Sequence, residues 1–371
     1  MAYFDHSATT PVHKDVLDRM HEIQSKSFGN PSSTHKKGRQ ARSIIEEARN
    51  QVSSSIGASP NQVLFTSGGT ESNNQLLYSI IGNTKNHIIT SKIEHPAILE
   101  TLIKLKKFGI EYDIISVNKE GTIIFDEIRN CTQNNTGLIS IMLANNEVGT
   151  VQPIKNITDY AQSNCILTHT DAVQCLGKIP VKVKELGVDF LSLSAHKFYG
   201  PKGVGILFAK NPKLIDPYIL GGGQEFNLRG GTENTAAIAG MGLAAKIATD
   251  NLSQTKKHLD YLELFFKNEL IKIFPQAKFN ENIKSKLPGL ISVSFAKNKS
   301  SILLSKLDRL NIAVSNGSAC GSGIIKPSKI LSAMGIDNDL NLSTLRISFG
   351  TKNTKEEIKT LLSALDSILI K

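Results

Sequence analysis

Residues 192–203 read SLSAHKFYGPKG. An extended, largely apolar run ends at Ser194, His196 and Lys197, and a Gly/Pro-rich turn follows. A solvated lysine and a confined one are both open on this stretch alone. The second has a chemical use, because an amine held near the end of a sheet can form a Schiff base with an aldehyde cofactor.

Upstream, THTDAVQ (168–174) ends another β-rich run at Asp171, 26 residues before Lys197. An aspartate there is commonly a helix cap or turn residue. In the same sheet as Lys197, its carboxylate could instead keep a pyridine nitrogen protonated and electron-withdrawing. TSGGTESNN (66–74) follows a strand and opens a helix, so its backbone N–H groups suit a phosphate. It is neither a dinucleotide fingerprint nor a P-loop, and alone it reads equally as a tight turn and cap. SKIEHPA (91–97) puts His95 just after a strand, where it could stack on a planar ring or relay protons, or be merely structural.

Around these motifs, helical and extended segments alternate. HKKGRQARSIIEEARNQVSSSIG and HPAILETLIKLKKFG carry apolar residues at helical spacing, while QVLFTSG, HIITSK, YDIISV, GLISIMLAN, CILTHTD, DFLSLSA and GVGILFA are β-rich. Runs apolar on both faces and separated by helices predict a mostly parallel sheet covered on both sides. After about residue 255 the texture changes. A long helix (HLDYLELFFKNELIKIF) leads into GLISVSFA, SSILLSKLDRL, NIAVSNG and TLRISFG, and then a last helix, TKEEIKTLLSALDSILI. The reading is α/β: a large domain over 15–255, and a smaller α+β domain built from 1–14 and 256–371. A ligand site between the two is expected.

Composition sets outer bounds. The 371 residues are 40% hydrophobic and 20% charged, without tryptophan. No apolar stretch approaches the ~18 residues of a spanning helix, and the start lacks the order of a signal peptide, so a cytoplasmic protein is expected. The net charge of +10 is spread along the chain and does not choose a partner. Cys131, Cys165, Cys175 and Cys320 form no CxxC pair or zinc-type cluster. The first three read as structural. Cys320 differs: SNGSACGSG (315–323) offers nothing to bury it with, and glycine leaves the backbone wide freedom. That context suits a thiolate that travels to its target.

Taken in order, ten stretches resemble the class V, fold-type I pyridoxal phosphate enzymes, and among them the NifS/IscS-type cysteine desulfurases. They are YFDHSATTPV, FGNPSSTHKKG (28–38), TSGGTESNN, EHPAILET, NNEVGTVQPI (145–154), HTDAVQCLGKIPV, SAHKFYGPKGVG, GGGQEFNLRGGTEN (221–234), SNGSACGSG and STLRISFG. The likeness covers nearly the whole chain. It implies a fold-type I transferase with a mostly parallel seven-stranded sheet, and pyridoxal 5'-phosphate as cofactor. Lys197 would be the Schiff-base lysine and Asp171 the pyridine-nitrogen partner. Gln174 would bond the phenolic oxygen, and His95 would lie over the ring and assist catalysis. Thr70, Ser194 and His196, with the backbone at Gly69, would hold the phosphate, joined by Thr232 from a neighbouring subunit of a homodimer with shared active sites. Asn146 would contact cofactor and substrate, and Arg346 would fork the substrate carboxylate. Cys320 would take sulfur from L-cysteine, leaving alanine, and carry it as a persulfide to a protein acceptor such as an iron–sulfur scaffold or a tRNA-thiolation enzyme.

The resemblance also ranks rivals. A class V aminotransferase on another amino acid would share Lys197 and Asp171 but would not need GSAC. A selenocysteine lyase would carry an RxGHHC-like pattern in place of GSAC. A non-catalytic sulfur-transfer platform predicts loss of Lys197, Asp171 or Cys320, and all three are present. Direct binding of nucleic acid is not expected. The sequence stops at Lys371, straight after the last helix, whereas IscS-type relatives carry a further C-terminal segment associated with docking the scaffold protein. That manner of docking is not expected here.

Overall fold

A computed structural model describes residues 1–317 and 326–370. In chain order its strands are β1 (Ala2–Tyr3), β2 (Val63–Thr66), β3 (His87–Ser91), β4 (Glu111–Ile115), β5 (Thr136–Ser140), β6 (Leu167–Asp171), β7 (Phe190–Ser194), β8 (Gly205–Ala209), β9 (Lys278–Phe279), β10 (Leu290–Ser294), β11 (Ile312–Ala313) and β12 (Thr344–Ser348). Seven of them form one sheet in the order β2-β8-β7-β6-β5-β3-β4. The members are the seven β-rich runs of the sequence. All pairs are parallel except those of β8, which runs antiparallel to β2 and β7. Its direction follows from its connection. Only the turn after Ser194 joins β7 to β8, whereas a parallel return needs a crossover of a dozen residues or more.

The runs apolar on both faces divide between two cores. Val63, Phe65, Ile89, Ile139, Leu191, Ile206 and Phe208 face the helices Lys36–Ile56 and Thr235–Asp250, through Ile45, Ala48, Val52, Ala237 and Met241. Their neighbours Leu64, Ile88, Leu138, Phe190 and Leu207 pack with Leu76, Leu77, Ile98 and Leu102 of helices Gly69–Tyr78 and Pro96–Leu105. This period-two division is what a sheet sandwiched between helix layers requires.

A separate core gathers Phe266, Leu270, Ile291, Val293, Leu303, Leu307, Ile347, Leu361 and Leu365. It lies between the antiparallel sheet β12-β10-β9 and the helices Leu252–Ile273, Ser300–Arg309 and Lys355–Ile368. The last helix opens with a capping box in which Thr354 and Glu357 satisfy each other's backbone N–H groups. The N-terminal strand β1 joins here, pairing in parallel with β11. The chain's first residues are thereby pinned beside its last strands and reach back over the end of the large sheet.

Candidate active site

The carboxyl ends of the parallel strands open into a cavity of about 600 Å3, the place where open α/β sheets take ligands. Strands β6 and β7 are neighbours, with Asp171 opposite Ser192. They therefore deliver Asp171 and the segment Ser194–Lys197 to one edge. A single 3-10 turn, Ala195–Lys197, follows β7. Gly200 closes it, since a Cβ there would stand 2.8 Å from the Ala195 side chain. The turn aims Lys197 into the cavity.

The Lys197 ammonium rests on two carbonyls, Ser7 O at 2.6 Å and Ala8 O at 2.8 Å, and makes no ion pair among the described residues. Burial, with Lys178 and Arg346 nearby, pulls its pKa down to about 7, and Asp171 and Asp5 oppose the shift only in part. A buried amine without a carboxylate partner is one that readily loses its proton. Asp171 is held from two sides. Its Oδ2 accepts from Asn73 Nδ2 at 2.8 Å, and its Oδ1 from the Val173 N–H at 3.0 Å.

On the facing wall the helix Gly69–Tyr78 begins. Gly68 has φ +155° and Gly69 packs on Val173, where a Cβ would lie 2.7 Å from Cγ2. Gly205 of β8 serves the same approach, because a Cβ there would sit 2.6 Å from the Gly68 Cα. Thr70, Ser194 and His196 line this corner with Gly68 and Gly69. His196 Nδ1 lies 3.1 Å from Thr9 Oγ1, and burial next to Lys197 and Lys202 holds its pKa down to about 4, so it is neutral at physiological pH. The helix start is braced from behind, where Glu71 accepts from the Ser67 N–H and pairs with Arg229 at 3.0 Å.

His95 caps helix Pro96–Leu105, its Nδ1 accepting from the Ala97 N–H at 3.1 Å. The residue is exposed at the cavity wall, and partial desolvation there, with Lys197 nearby, holds its pKa below the usual value against the pull of Asp171. Glu94 beside it is fully enclosed. It accepts from Ser91 Oγ at 2.6 Å and from the Met142 N–H at 3.0 Å, and burial pushes its pKa up to about 8. Gln174 donates to Ser7 O at 2.9 Å and receives a long bond, 3.4 Å, from Lys178.

Arg346 enters from β12. Its Nη2 meets Asp5 at 2.8 Å, its Nη1 donates to Asn146 O at 3.1 Å, and its buried Nε has no hydrogen-bond partner among the described residues. Asn146 and Gly317 also line the cavity. Cys320 lies outside the described residues, three positions beyond Gly317. Thr232 is exposed and does not line this cavity.

The structure thus brings Gly69, Thr70, His95, Asn146, Asp171, Gln174, Ser194, His196, Lys197 and Arg346 to one cavity. Sequence reasoning missed Asn73, Glu94, Lys178 and the Ser7 and Ala8 carbonyls. Asn73 sits inside the quoted TSGGTESNN motif one turn from Gly69, a signal that was available. The carbonyls carry no side-chain signal. Of the cysteines read as structural, Cys175 is buried and its thiol is pushed far up by burial, and Cys131 is half-buried. Cys165 departs from that reading. It is exposed, at a turn with φ +52° before β6, and packs no core.

The walls fit pyridoxal 5'-phosphate on their own chemistry. A carboxylate anchored by two donors, an amine lacking a carboxylate partner, and glycines at a helix start that admit an anion all face one space. Comparison with known proteins agrees. The sequence model of the aminotransferase class-V family matches residues 2–361. A cysteine desulfurase IscS of Dictyoglomus turgidum is 43% identical, over 100% of this chain and 94% of its own length. Among solved structures, a NifS-like protein superposes with a TM-score of 0.93 at 38% identity, covering 99% of this chain and 98% of its own. One described as SspA in complex with cysteine gives 0.81 at 35% identity, covering 94% and 99%.

Proposed function

Because the chain belongs to the class-V aminotransferase family, whose cofactor is pyridoxal 5'-phosphate, we propose that it is a cysteine desulfurase converting L-cysteine to L-alanine and a persulfide on Cys320. The observation that carries the reading is Lys197, a half-buried amine that makes no ion pair among the described residues and shares a cavity with the anchored carboxylate of Asp171. When bound, the cofactor supplies an aldehyde that captures amines and a ring that draws electrons from the substrate's Cα.

The chain's own groups do the rest. Asp171, fixed by Asn73 and the Val173 N–H, would take the ring nitrogen, and Gln174 would take the phenolic oxygen. His95, which lines the same cavity, would lie against the ring. Thr70, Ser194, His196 and the backbone of Gly69 would hold the phosphate, and Thr232 of a second subunit would complete that seat in a homodimer. Arg346, whose buried Nε has no hydrogen-bond partner among the described residues, would take the substrate carboxylate beside Asn146. Lys197, whose pKa near 7 lets it accept and return a proton at neutral pH, moves the proton at Cα.

Cys320 acts as a thiolate. It takes the substrate's sulfur atom while the C–S bonding electrons stay with the three-carbon fragment, which a proton completes as alanine. The persulfide then passes to a protein acceptor, an iron–sulfur scaffold or a tRNA-thiolation enzyme, in the cytoplasm. Two domains, 15–255 and 1–14 with 256–371, suit this division of work. The separate cores and the site between them support that division. No helix among the described residues is long and apolar enough to cross a membrane.

A single-turnover assay tests the reading. The cofactor-loaded protein is given L-cysteine, alanine is quantified, and peptide mass spectrometry looks for an added sulfur on Cys320. Both signals are expected, and both should vanish in Cys320→Ala. Bound cofactor with neither alanine nor persulfide would overturn it.

A further inference from the structure

A second cavity, of about 380 Å3, borders the first, and Lys197 is the one side chain among the described residues that lines both. It lies where the two main cores meet. Leu176 and Ala244 come from the large-sheet side, and Leu259 and Phe349 from the other. Its charge is one-sided: among the described residues three lysines line it and no aspartate or glutamate does, while His6, one of its three histidines, is held neutral by burial and by Lys178, with a pKa of about 4. Its wall also holds unsatisfied donors. Lys178 is only 9% exposed, yet its ammonium makes one hydrogen bond among the described residues, the long one to Gln174 Oε1, and no ion pair. An ammonium has three N–H donors, so two remain without an acceptor among the described residues. His6, 6% exposed, adds a buried ring nitrogen, Nδ1, that has no hydrogen-bond partner among the described residues and can be donor or acceptor according to the tautomer. Lys352 stands exposed at the rim.

A buried charge is costly unless it is paired and hydrogen-bonded, and among the described residues Lys178 has no ion pair and only the one long hydrogen bond. We propose that this cavity is a second ligand site, which binds a small anion through its carboxylate or phosphate oxygens, with Lys178 and His6 at the base and Lys352 at the rim. The site is distinct from the cofactor's phosphate seat, whose residues Thr70, Ser194 and the glycines line only the first cavity. Its size suits an acid of a few carbons or a small phosphate, since ligand pockets begin at about 300 Å3.

The test uses the cofactor-loaded enzyme, so that the phosphate seat of the first cavity is already filled. Inorganic phosphate and, separately, succinate are titrated calorimetrically at neutral pH and constant ionic strength. Saturable binding of one probe per chain is expected, weakened about tenfold or more in Lys178→Met, as loss of a charged hydrogen bond implies. The probe that binds tells a phosphate ligand from a carboxylate one. Should Lys178→Met fail to fold, Lys352→Gln at the exposed rim, expected to weaken binding about threefold, and a tungstate-soaked crystal replace it. Anomalous density beside Lys178 is the expected result there. Absence of saturable binding for both probes, unchanged affinity in the folded variants, or tungstate absent from this cavity would each overturn the proposal.

Discussion

Two cations flank the large sheet, Arg49 buried and Lys197 half-buried, and the protein treats them oppositely. Arg49, 1% exposed, meets Glu225 in a fork, with Nη1 at 2.8 Å from Oε2 and Nη2 at 2.7 Å from Oε1. It adds Glu46 at 3.1 Å and Val63 O at 2.8 Å, and lies 4.9 Å from the ring centroids of both Phe65 and Phe226. Burial works against its charge, but Glu225 and Glu46 outweigh it and raise its pKa. Lys197 receives only two carbonyls, and its pKa falls to about 7. A permanent charge is paired on every side. A charge that must come and go is given neutral acceptors, so either protonation state can be housed.

The largest expected effect tests the second half of that contrast. Lys197→Ala should lower alanine formation from L-cysteine by about 10²–10⁴-fold, the range of a lost acid–base group, while the circular dichroism spectrum is kept. A variant retaining a tenth of the activity would remove Lys197 from the chemistry. Arg49→Met should do the reverse. It leaves Glu225 buried and unpaired and should cost about 3–5 kcal/mol in urea unfolding, and Arg49→Met with Glu225→Gln should recover part of this. Equal stability of the single variant and the wild type would show the clasp to be inert.

A third expectation concerns pH. In the cofactor-free protein the folded pKa of Lys197, about 7, lies below its unfolded value of 10.5. Between these values the unfolded chain carries a proton that the folded one lacks, so this group makes stability rise with pH across that window. The rise is lost as pH falls through 7, and its slope is at most about 1.4 kcal/mol per pH unit. Lys197→Met should flatten it, and an unchanged slope would assign the titration to another group. The smallest effect belongs to an exposed pair: cutting Lys246–Asp250, 2.6 Å apart on one helix face, by Lys246→Ala should shift stability by less than about 0.5 kcal/mol. A larger loss would mean that exposure does not separate these pairs as argued.

Which parts of this were readable in the sequence follows from what local pattern can carry. The strands of the large sheet announced themselves because each is buried on both faces, so FLSLS and GILFA read as continuous runs. NIAVSNG was less legible. Only Ile312–Ala313 pair as strand, since β1 offers just two partners. Asp171 and Lys197 stood out by residue type at strand ends. The groups that set the lysine's state did not, because the Ser7 and Ala8 carbonyls belong to residues about 190 positions away and are supplied by backbone. Arg49 likewise read as one more polar residue of an amphipathic helix, for its partner Glu225 is 176 positions away.

The carbonyl rest of Lys197 also has a history in time. Ser7 is fastened by its N–H to Ser348 Oγ, 341 positions later, and Asp5 is fastened to Arg346. At about 5–20 residues per second, the ribosome delivers those anchors some tens of seconds after it has made Ser7. Earlier ties exist, from Gln174 to the Ser7 carbonyl and from Thr10 to the His196 carbonyl, but until β12 is made the Ser7 N–H lacks its hydroxyl acceptor and the arginine's place is empty. The wall that tunes the amine is therefore begun by the large sheet and completed only by β12.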